Sequence, residues 1–477
     1  MHWFVLSLVL VGHAAESFRG SSFYFGDPHV HTGVSKDGCS SDLGGERHCG
    51  AFEDVPVLAA EQGLDWLALA DHVNGPLGAD EEDFDRELEA ILEWSELEGP
   101  LLIPAAEVWF RFRGEPLGHR NIYLFGDDEQ LEDLRLEDTM PIESGIVEVE
   151  SCDQIAAWLA GVDERFGPVL MVPHHPSLEA PMPVDFSCWD EDHEVAVEVY
   201  SAWGSSLGGV LEDWDPPVQP VEPTGTAAYA MDPDGLARRF AFMAGTDGHN
   251  TTPGDLCRPG GATHATSGGL SVLVLPDGEP LDRSAVHDAM VEGRAYATSG
   301  PMIAVDLEFW AGGSHLGGLG SELVVPEDRA LEVVVTVPGA VGDSVREVLL
   351  VGPDGAWTLE RTGTLGYSLE IHAADLPAWV YVALRLDGLD FYGERHLSVC
   401  DDKGSDDDEW IWMSPSWIEI GDALPSAGVV TPQAAESPMA SRSARCSQGR
   451  VPQGLGGLLG LLVSAVALRR RAPARAI

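Results

Sequence analysis

Short apolar runs alternate with amphipathic stretches from residue 23 to residue 299 of this 477-residue chain. The apolar runs have the length and composition of buried strands, and the stretches between them carry apolar residues at helical spacing. Strands that alternate with helices predict a parallel sheet, and seven or eight such units predict a barrel. The predicted strands include residues 64–70, 101–104, 121–125, 168–172 and 196–200, and the predicted helices are 53–62, 81–96 and 152–160.

The pattern changes after about residue 301. Short alternating strands, separated by Gly, Pro and Asp turns, predict an antiparallel β-sandwich over residues 301–420. Residues 421–453 are rich in Pro, Ser and Ala, which predicts a flexible stalk. The strands predicted for the sandwich are residues 303–310, 331–337, 347–351, 368–371 and 380–386.

The chain is strongly acidic, with 79 Asp and Glu residues against 27 Lys and Arg residues and a formal charge of −52. Such a field repels polyanions, so we expect no nucleic-acid partner. It also concentrates cations, which suits a metal site. A hydrophobic content of 44% excludes wholesale disorder.

Both termini predict export. Residues 1–15 combine an apolar core with small residues before a cleavage point, as in a secretory signal peptide. Residues 454–468 are uncharged and apolar, and Arg469, Arg470 and Arg471 follow. A full span needs about 20 residues, so this segment is marginal as a permanent anchor. Its arginines would stay cytoplasmic, which leaves the body of the protein outside the cell.

The C-terminal tail has two interpretations. Cys446, the Gly-rich apolar run and the Arg cluster together resemble the C-terminal sorting signals of myxobacterial-type surface proteins. That resemblance implies a tail that is processed, with the protein retained at the cell surface or released from it. The alternative is a short transmembrane helix within residues 454–471. On either interpretation, membrane contact is confined to this segment.

Seven cysteines fit an oxidising compartment. Cys39 and Cys49 lie close together in sequence and could pair, and Cys446 is left over. Two more bridges are open among the other four, whose connectivity the sequence cannot fix. These four are Cys152, Cys188, Cys257 and Cys400.

Metal-ligating residue types recur at the ends of the predicted strands. His29 and His31 follow the apolar run 23–25 at positions i and i+2, which point to one face of a strand. Histidine is the commonest protein ligand for zinc-like metals, and carboxylates add oxygen donors. Five further segments place His, Asp or Glu near strand ends: Asp71-His72, Glu107, His119, His174-His175, and Asp247 with His249.

The motifs HVH-x5-D, ADH, AAE, GH, HHP and GTDGH, in this order, resemble the polymerase-and-histidinol-phosphatase (PHP) superfamily of metallohydrolases. The stretch YFGDPHVHTG, together with TSGP at residues 298–301, resembles a secreted, carbaryl-hydrolase-like branch. The resemblance covers about residues 24–301, and it implies a metallohydrolase domain over residues 22–300. It implies a distorted (β/α)7 TIM-like barrel, an α/β fold, with two or three divalent metal ions at its C-terminal rim.

The resemblance also implies which residues hold the ions. A first ion would be held by His29, His31, Glu107 and Asp247; a second by Glu107, His119 and His175; a third by Asp37, His72 and His249. His175 is preferred to His174 because the family's ligand directly precedes proline, and His174 and Asp71 would support the ligands. The ions would be zinc, manganese or iron, and the oxygen donor of Asp37 favours the latter two at the third position.

The family chemistry needs no catalytic side chain beyond the metal-bound water. One short motif is compatible with a serine nucleophile, since residues 204–208 fit the Gly-x-Ser-x-Gly pattern. The Asp- and Pro-rich stretch that follows is a poor elbow helix, which favours a plain loop. The cysteines are expected to be oxidised, so a cysteine nucleophile is not predicted.

The leading hypothesis is an exported metal-dependent hydrolase of small-molecule esters, most simply a phosphoesterase. One alternative keeps the fold and hydrolyses carbamates or carboxylic esters, and another is a non-catalytic surface adhesion protein with a structural metal site. Arg111, Arg113 and Arg120 lie near predicted ligands and could bind phosphate. They could equally pair with the abundant carboxylates.

Overall fold

The computed structural model describes the parts of the chain that hold most of the predicted site. These are residues 16–36, 38, 51–74, 77–95, 99–139, 147–179, 183–211, 217–218, 220–256, 268–339, 341–387 and 408–421. The predicted signal peptide, residues 422–453 of the stalk and the C-terminal segment lie outside the described residues. So do Asp37, Cys39, Cys49, Cys257, Cys400 and Cys446.

The first region is a mixed α/β fold, as predicted. Its strands are β1 (Glu16–Phe18), β2 (Ser21–Val30), β3 (Trp66–Leu69), β4 (Leu101–Phe112), β5 (Glu115–Leu124), β6 (Val147–Val149), β7 (Val169–Pro173), β8 (Ala196–Ser201), β9 (Gly204–Ser205), β10 (Ala241–Ala244), β11 (Leu270–Pro276) and β12 (Ala295–Thr298). Its helices are α1 (Val55–Glu61), α2 (Glu81–Ser95), α3 (Asp128–Leu131), α4 (Cys152–Phe166), α5 (Ala227–Met231) and α6 (Arg283–Val291). Short 3-10 turns cover Phe52–Asp54, Leu136–Thr139, Gly209–Leu211 and Pro223–Gly225.

The sheet is parallel only in part. Strands β2, β3 and β4 are parallel neighbours, and β8 pairs in parallel with β10. Strand β5 runs antiparallel to both β4 and β7, so the prediction of a wholly parallel sheet is wrong there. The cause is the two-residue turn Arg113-Gly114, which joins β4 and β5 as a hairpin. Its residues have φ of 51° and 88°. The (β/α)7 barrel stays a prediction.

These strands share one hydrophobic core. A cluster of buried side chains joins residues of β3, β4, β5, β7, β8, β10 and β11, including Ile103, Leu170 and Met243. Helix α4 covers the outer side with Ile155, Leu159 and other apolar residues. Cys152, the first residue of α4, forms a disulfide with Cys188. This disulfide ties the start of α4 to the segment between β7 and β8.

In the described part of the second region, strands are joined by loops and turns and by one 3-10 turn at Ala373–Asp375. Its strands are β13 (Asp306–Ala311), β14 (Ser314–Gly318), β15 (Glu322–Pro326), β16 (Ala330–Thr336), β17 (Val345–Gly352), β18 (Gly355–Thr358), β19 (Glu360–Thr362), β20 (Gly366–His372), β21 (Trp379–Asp387), β22 (Asp408–Met413) and β23 (Ser416–Gly421).

Two layers of these strands enclose a common core. Strands β14, β13, β16, β20 and β19 form an antiparallel sheet in that order. Alternate residues of β16, such as Leu331 and Val333, point inward and meet Leu350 and Val382 of the facing layer. Strand β22 also pairs with β12, so the facing layer continues the sheet of the first region. The predicted domain boundaries at residues 300 and 420 stay predictions.

Among the described residues, no helix is both long and apolar enough to cross a bilayer.

Candidate metal centre

The two histidines of the HVH motif lie at the end of β2 and are fully buried. Because they are two residues apart on an extended strand, both rings point to one face. His29 Nε2 and His31 Nε2 are 3.1 Å apart. Two imidazole nitrogens brought this close in a buried site are an arrangement suited to holding a common cation.

Glu107 is the carboxylate at the centre of the site. It lies within β4, opposite β5, and its side chain is almost fully buried. Five histidine nitrogens approach its two oxygens. The distances are 2.7 Å to His119, 3.2 Å each to His31, His72 and His174, and 3.5 Å to His29.

A second carboxylate, Asp247, follows β10. Its Oδ1 lies 3.2 Å from His249 Nε2, 3.4 Å from His31 Nε2 and 3.6 Å from His29 Nε2. Asp247 has φ of 52°, in the left-handed region that costs energy for a residue with a side chain. Strain of this kind is concentrated at functional sites.

The doublet His174-His175 follows β7, and the structure brings both rings to the site. Their ring centroids lie 5.3 Å and 4.8 Å from that of His119. His175 also has a positive φ, of 33°. The sequence favours His175 as the ligand, with His174 in support. In the structure it is His174 that reaches Glu107 directly.

Within the described residues, four groups of three side chains have their ligand atoms within 4.8 Å of one another. These groups overlap, so the ligand residues form one continuous cluster. They are His119, His174 and His175; His29, His31 and Glu107; His29, His174 and Asp247; and His31, Asp247 and His249. The structure thus brings together all the sequence-predicted ligands that it describes, with His72 joined through Glu107.

The cluster fits divalent metal ions by its donor set and by its unused atoms. Among the described residues, His174 Nδ1, His175 Nδ1 and Asp247 Oδ2 are buried without a hydrogen-bond partner. Buried polar atoms normally have a partner, and a bound metal ion would supply one for these atoms. Imidazole nitrogens with carboxylate oxygens suit zinc, manganese and iron.

The protonation states of most of the cluster also fit a metal site. His29 differs: burial acts against its protonation, but Asp247 and Glu198 outweigh this and raise its pKa well above 6.5. Burial lowers the pKa of His174 to about 3, and it lowers the pKa of His119 and His175 as well. Burial acts against ionisation of Glu107, but His72 and His174 outweigh it and hold its pKa well below 4.5. Neutral imidazoles and ionised carboxylates are the forms that bind metals.

Asp71 supports the site indirectly. Its carboxylate accepts hydrogen bonds from the backbone N–H groups of Thr32 and Ser35 and from the Thr32 hydroxyl, the last at 2.6 Å. It therefore ties the loop after His31 to the end of β3. The sequence predicted that Asp71 orients a ligand. In the structure its hydrogen bonds hold the segment Thr32–Ser35, which directly follows His31.

Two residues at the site are absent from the sequence prediction. Trp109 stacks on His119, with ring centroids 4.6 Å apart, and its Nε1 lies 3.1 Å from both His72 Nδ1 and Glu107 Oε1. Glu198 Oε2 lies 2.9 Å from His29 Nδ1. Each had a signal, since Trp109 is two residues from Glu107 on one strand and Glu198 interrupts an apolar strand.

The three candidate substrate-binding arginines lie in two places. Arg120 is fully buried, and its Nε donates to Glu194 Oε1 at 2.9 Å, which is the carboxylate-pairing alternative. Arg111 and Arg113 are exposed beside the β4–β5 turn. Arg113 donates to the backbone oxygen of Glu150.

The serine pattern begins in the short strand β9 and continues as a loop beside a small cavity of about 130 Å³. Ser205 Oγ accepts a hydrogen bond from Leu207 N, and Ser206 Oγ pairs with Ser177 Oγ at 3.1 Å. Among the described residues neither hydroxyl has a histidine as its hydrogen-bond partner. This geometry agrees with the plain loop that the sequence favours.

No protein-family profile matches this chain, and no curated protein sequence matches it. A solved structure, of a candidate metal-dependent phosphoesterase from Bifidobacterium adolescentis, is similar over 55% of this chain and 94% of its own length. The identity is 14% and the TM-score is 0.27. A TM-score this low carries no argument about this chain.

Proposed function

We propose that this protein is a metal-dependent hydrolase of the PHP type, most simply a phosphoesterase, with a di- or trinuclear site. The observation that supports this most strongly is the overlap, among the described residues, of four three-residue ligand groups, one with Glu107 and two with Asp247, in which every side chain but that of His249 is buried. One isolated group would suit a single ion. Groups that share His29, His31, His174 and Asp247 suit neighbouring ions instead.

Each part of the cluster has a role in holding the ions. His29, His31, Glu107 and Asp247 would hold one ion, and His119 with His174 and His175 would hold a second. His72 and His249 would contribute to a third, with Asp37, which lies outside the described residues. Divalent ions in such a site supply Lewis acidity, which makes water acidic and stabilises negative charge on an ester oxygen.

The protein's own groups prepare the site for that chemistry. Glu107 places one negative charge among five imidazoles, so it would offset part of the positive charge of the ions. Burial keeps bulk water away from most ligands, which strengthens electrostatic interactions inside the site. Trp109 packs against His119 and contacts His72, and so restricts both rings.

The accessibility of the site favours catalysis over a structural metal. The side chain of His249 is 13% exposed, whereas those of His29 and His31 are fully buried. Trp109 is also partly exposed. A structural metal site has all its coordination positions filled by the protein, whereas a catalytic one keeps a position that water or substrate must be able to reach. This observation counts against the adhesion-protein alternative.

Hydrolysis of a carbamate or carboxylic ester is the second candidate, because the same Lewis acidity serves either bond.

We also propose that the protein is exported, with the C-terminal segment as its membrane or surface attachment. The signal-like N-terminus supports export, and so does the Cys152–Cys188 disulfide, since disulfides persist in oxidising compartments.

A substrate screen tests this function. The full chain, loaded with Zn²⁺ or Mn²⁺, is assayed with 4-nitrophenyl phosphate, bis(4-nitrophenyl) phosphate and 1-naphthyl methylcarbamate. We expect hydrolysis of at least one phosphate ester, abolished by chelation and by the His29→Ala, His31→Ala double variant. Hydrolysis of the carbamate alone would replace the phosphoesterase with the second candidate. Full activity in the double variant would refute the metal-dependent mechanism.

A further inference from the structure

A fully buried glutamate contacts His29 at Nδ1, the ring nitrogen that does not face the other proposed ligands. Glu198 is the only charged residue of β8, whose sequence is otherwise Ala, Val, Val, Tyr and Ser, and it is 1% exposed. Its neighbours across the parallel pair are residues of β10, which leads to Asp247. A carboxylate in this position needs a specific partner to offset its loss of hydration.

That partner is His29. Glu198 Oε2 lies 2.9 Å from His29 Nδ1, while His29 Nε2 faces His31, Glu107 and Asp247. A neutral His29 that donates from Nδ1 to this carboxylate leaves Nε2 as a hydrogen-bond acceptor. The lone pair of Nε2 is then directed at the cluster of ligands.

Gly245 holds this pair from the other side. A Cβ at Gly245 would lie 2.6 Å from His29 Cβ and 3.0 Å from Glu198 Oε2. Real Cβ atoms do not approach other atoms this closely, so only glycine fits. The backbone of Gly245 therefore packs closely against both members of the pair.

We propose that Glu198 is a positioning residue that fixes the tautomer and orientation of His29 for metal binding. The inference rests on the proposed function, because it requires His29 to be a ligand. Carboxylates that accept from the second nitrogen of a metal-binding histidine raise its basicity, and their loss typically costs about 10- to 100-fold in metal affinity. Glu198 is not among the ligands that the sequence resemblance implies.

The test is a Zn²⁺ titration of the metal-free full chain, with wild type, Glu198→Gln and Glu198→Ala. We expect the affinity for the tightest equivalent to fall about 10-fold in the Gln variant and up to about 100-fold in the Ala variant. The control is Glu409→Gln, which removes an equally buried carboxylate outside the ligand cluster, where it accepts a hydrogen bond from the Ser299 hydroxyl, and it should bind Zn²⁺ as wild type does. Co²⁺ absorption spectra provide a second readout, since a misoriented His29 changes the ligand field.

Thermal unfolding of the metal-free variants separates positioning from folding. The proposal predicts that Glu198→Gln unfolds near the wild-type temperature while its Zn²⁺ affinity and Co²⁺ spectrum change. Wild-type affinity and spectrum in Glu198→Gln would overturn the inference alone. A wild-type chain that binds less than one equivalent of Zn²⁺ would overturn the proposed function, and the inference with it.

Discussion

Glu107 Oε1 lies 2.7 Å from Nδ1 of His119 across the antiparallel pair of β4 and β5. This contact exists because the Arg113-Gly114 turn folds the two strands together. It places a carboxylate from one strand beside an imidazole from the next, with three more histidines around the same two oxygens within 3.2 Å. Glu107 is therefore the residue on which the site should depend most.

Replacement of Glu107 with Gln keeps the shape of the side chain and removes its charge. We expect metal affinity and hydrolysis each to fall by at least about 100-fold, since losing a supporting residue alone costs about 10- to 100-fold. Metal content by mass spectrometry and the rate on the best phosphate ester measure the two effects. Glu89→Gln, on the exposed face of α2, is the control. A Glu107→Gln protein that retains its metal and its activity would show that this carboxylate is not a ligand.

The adjacent histidines His174 and His175 should differ in importance. His174 belongs to two of the four ligand groups of the described residues and reaches Glu107 at 3.2 Å, whereas His175 belongs to one group. We therefore expect His174→Ala to lose more metal equivalents than His175→Ala. Metal analysis of the two variants after dialysis checks this. The reverse order would restore the preference that the His-Pro sequence suggests.

Most of the residues that the structure brings together at the cluster were expected from the sequence, because strands direct their side chains in a regular way. His29, His31 and Glu107 lie at positions where the strand period alone fixes the direction of the side chain. The choice at residues 174 and 175 could not be made in this way. His175 has φ of 33°, so the chain leaves the extended conformation there and alternation no longer applies. The contact of Glu198 with His29 was not predicted, because residues 196–200 were interpreted as a buried strand from their apolar residues.

The fold was predictable where the signal is local. Residues 81–96 were predicted as a helix, and α2 is Glu81–Ser95; residues 331–337 were predicted as a strand, and β16 is Ala330–Thr336. The direction of β5 was not predictable from periodicity, because a strand has the same pattern in either direction. It depends on a two-residue turn that the apolar pattern does not contain.

The packing at Gly245 gives a third prediction. Gly245→Ala would place a methyl group 2.6 Å from His29 Cβ, and overpacking of this kind costs about 1–3 kcal/mol. We expect a lower unfolding temperature and weaker Zn²⁺ binding. Gly161→Ala on α4, where no atom lies within 4 Å of the new Cβ, is the control and should be neutral or stabilising. Equal behaviour of the two variants would contradict the close packing at Gly245.

Glu87 gives a prediction about pH. Burial, and then the neighbouring charge of Asp71, raise the pKa of this α2 residue well above 4.5. Between pH 4.5 and that higher value, the folded protein keeps a proton that the unfolded chain has released, so stability falls as pH rises. The slope is about 1.4 kcal/mol per pH unit.

Glu87→Gln carries a neutral amide in the same place, so it should be more stable than wild type at pH 8. The difference should vanish at pH 4, where the folded and unfolded chains both hold the proton. Denaturant unfolding at the two pH values measures it. A variant that is less stable than wild type at pH 8 would show that Glu87 is ionised in the folded protein.

The metal content of the full chain tests the central claim most directly. The protein is purified, incubated with Zn²⁺ or Mn²⁺, dialysed and measured by mass spectrometry beside the His29→Ala, His31→Ala double variant. The ligand cluster predicts two or more equivalents in the wild type and at least one fewer in the double variant. Less than one equivalent in the wild type, with both metals, would contradict it.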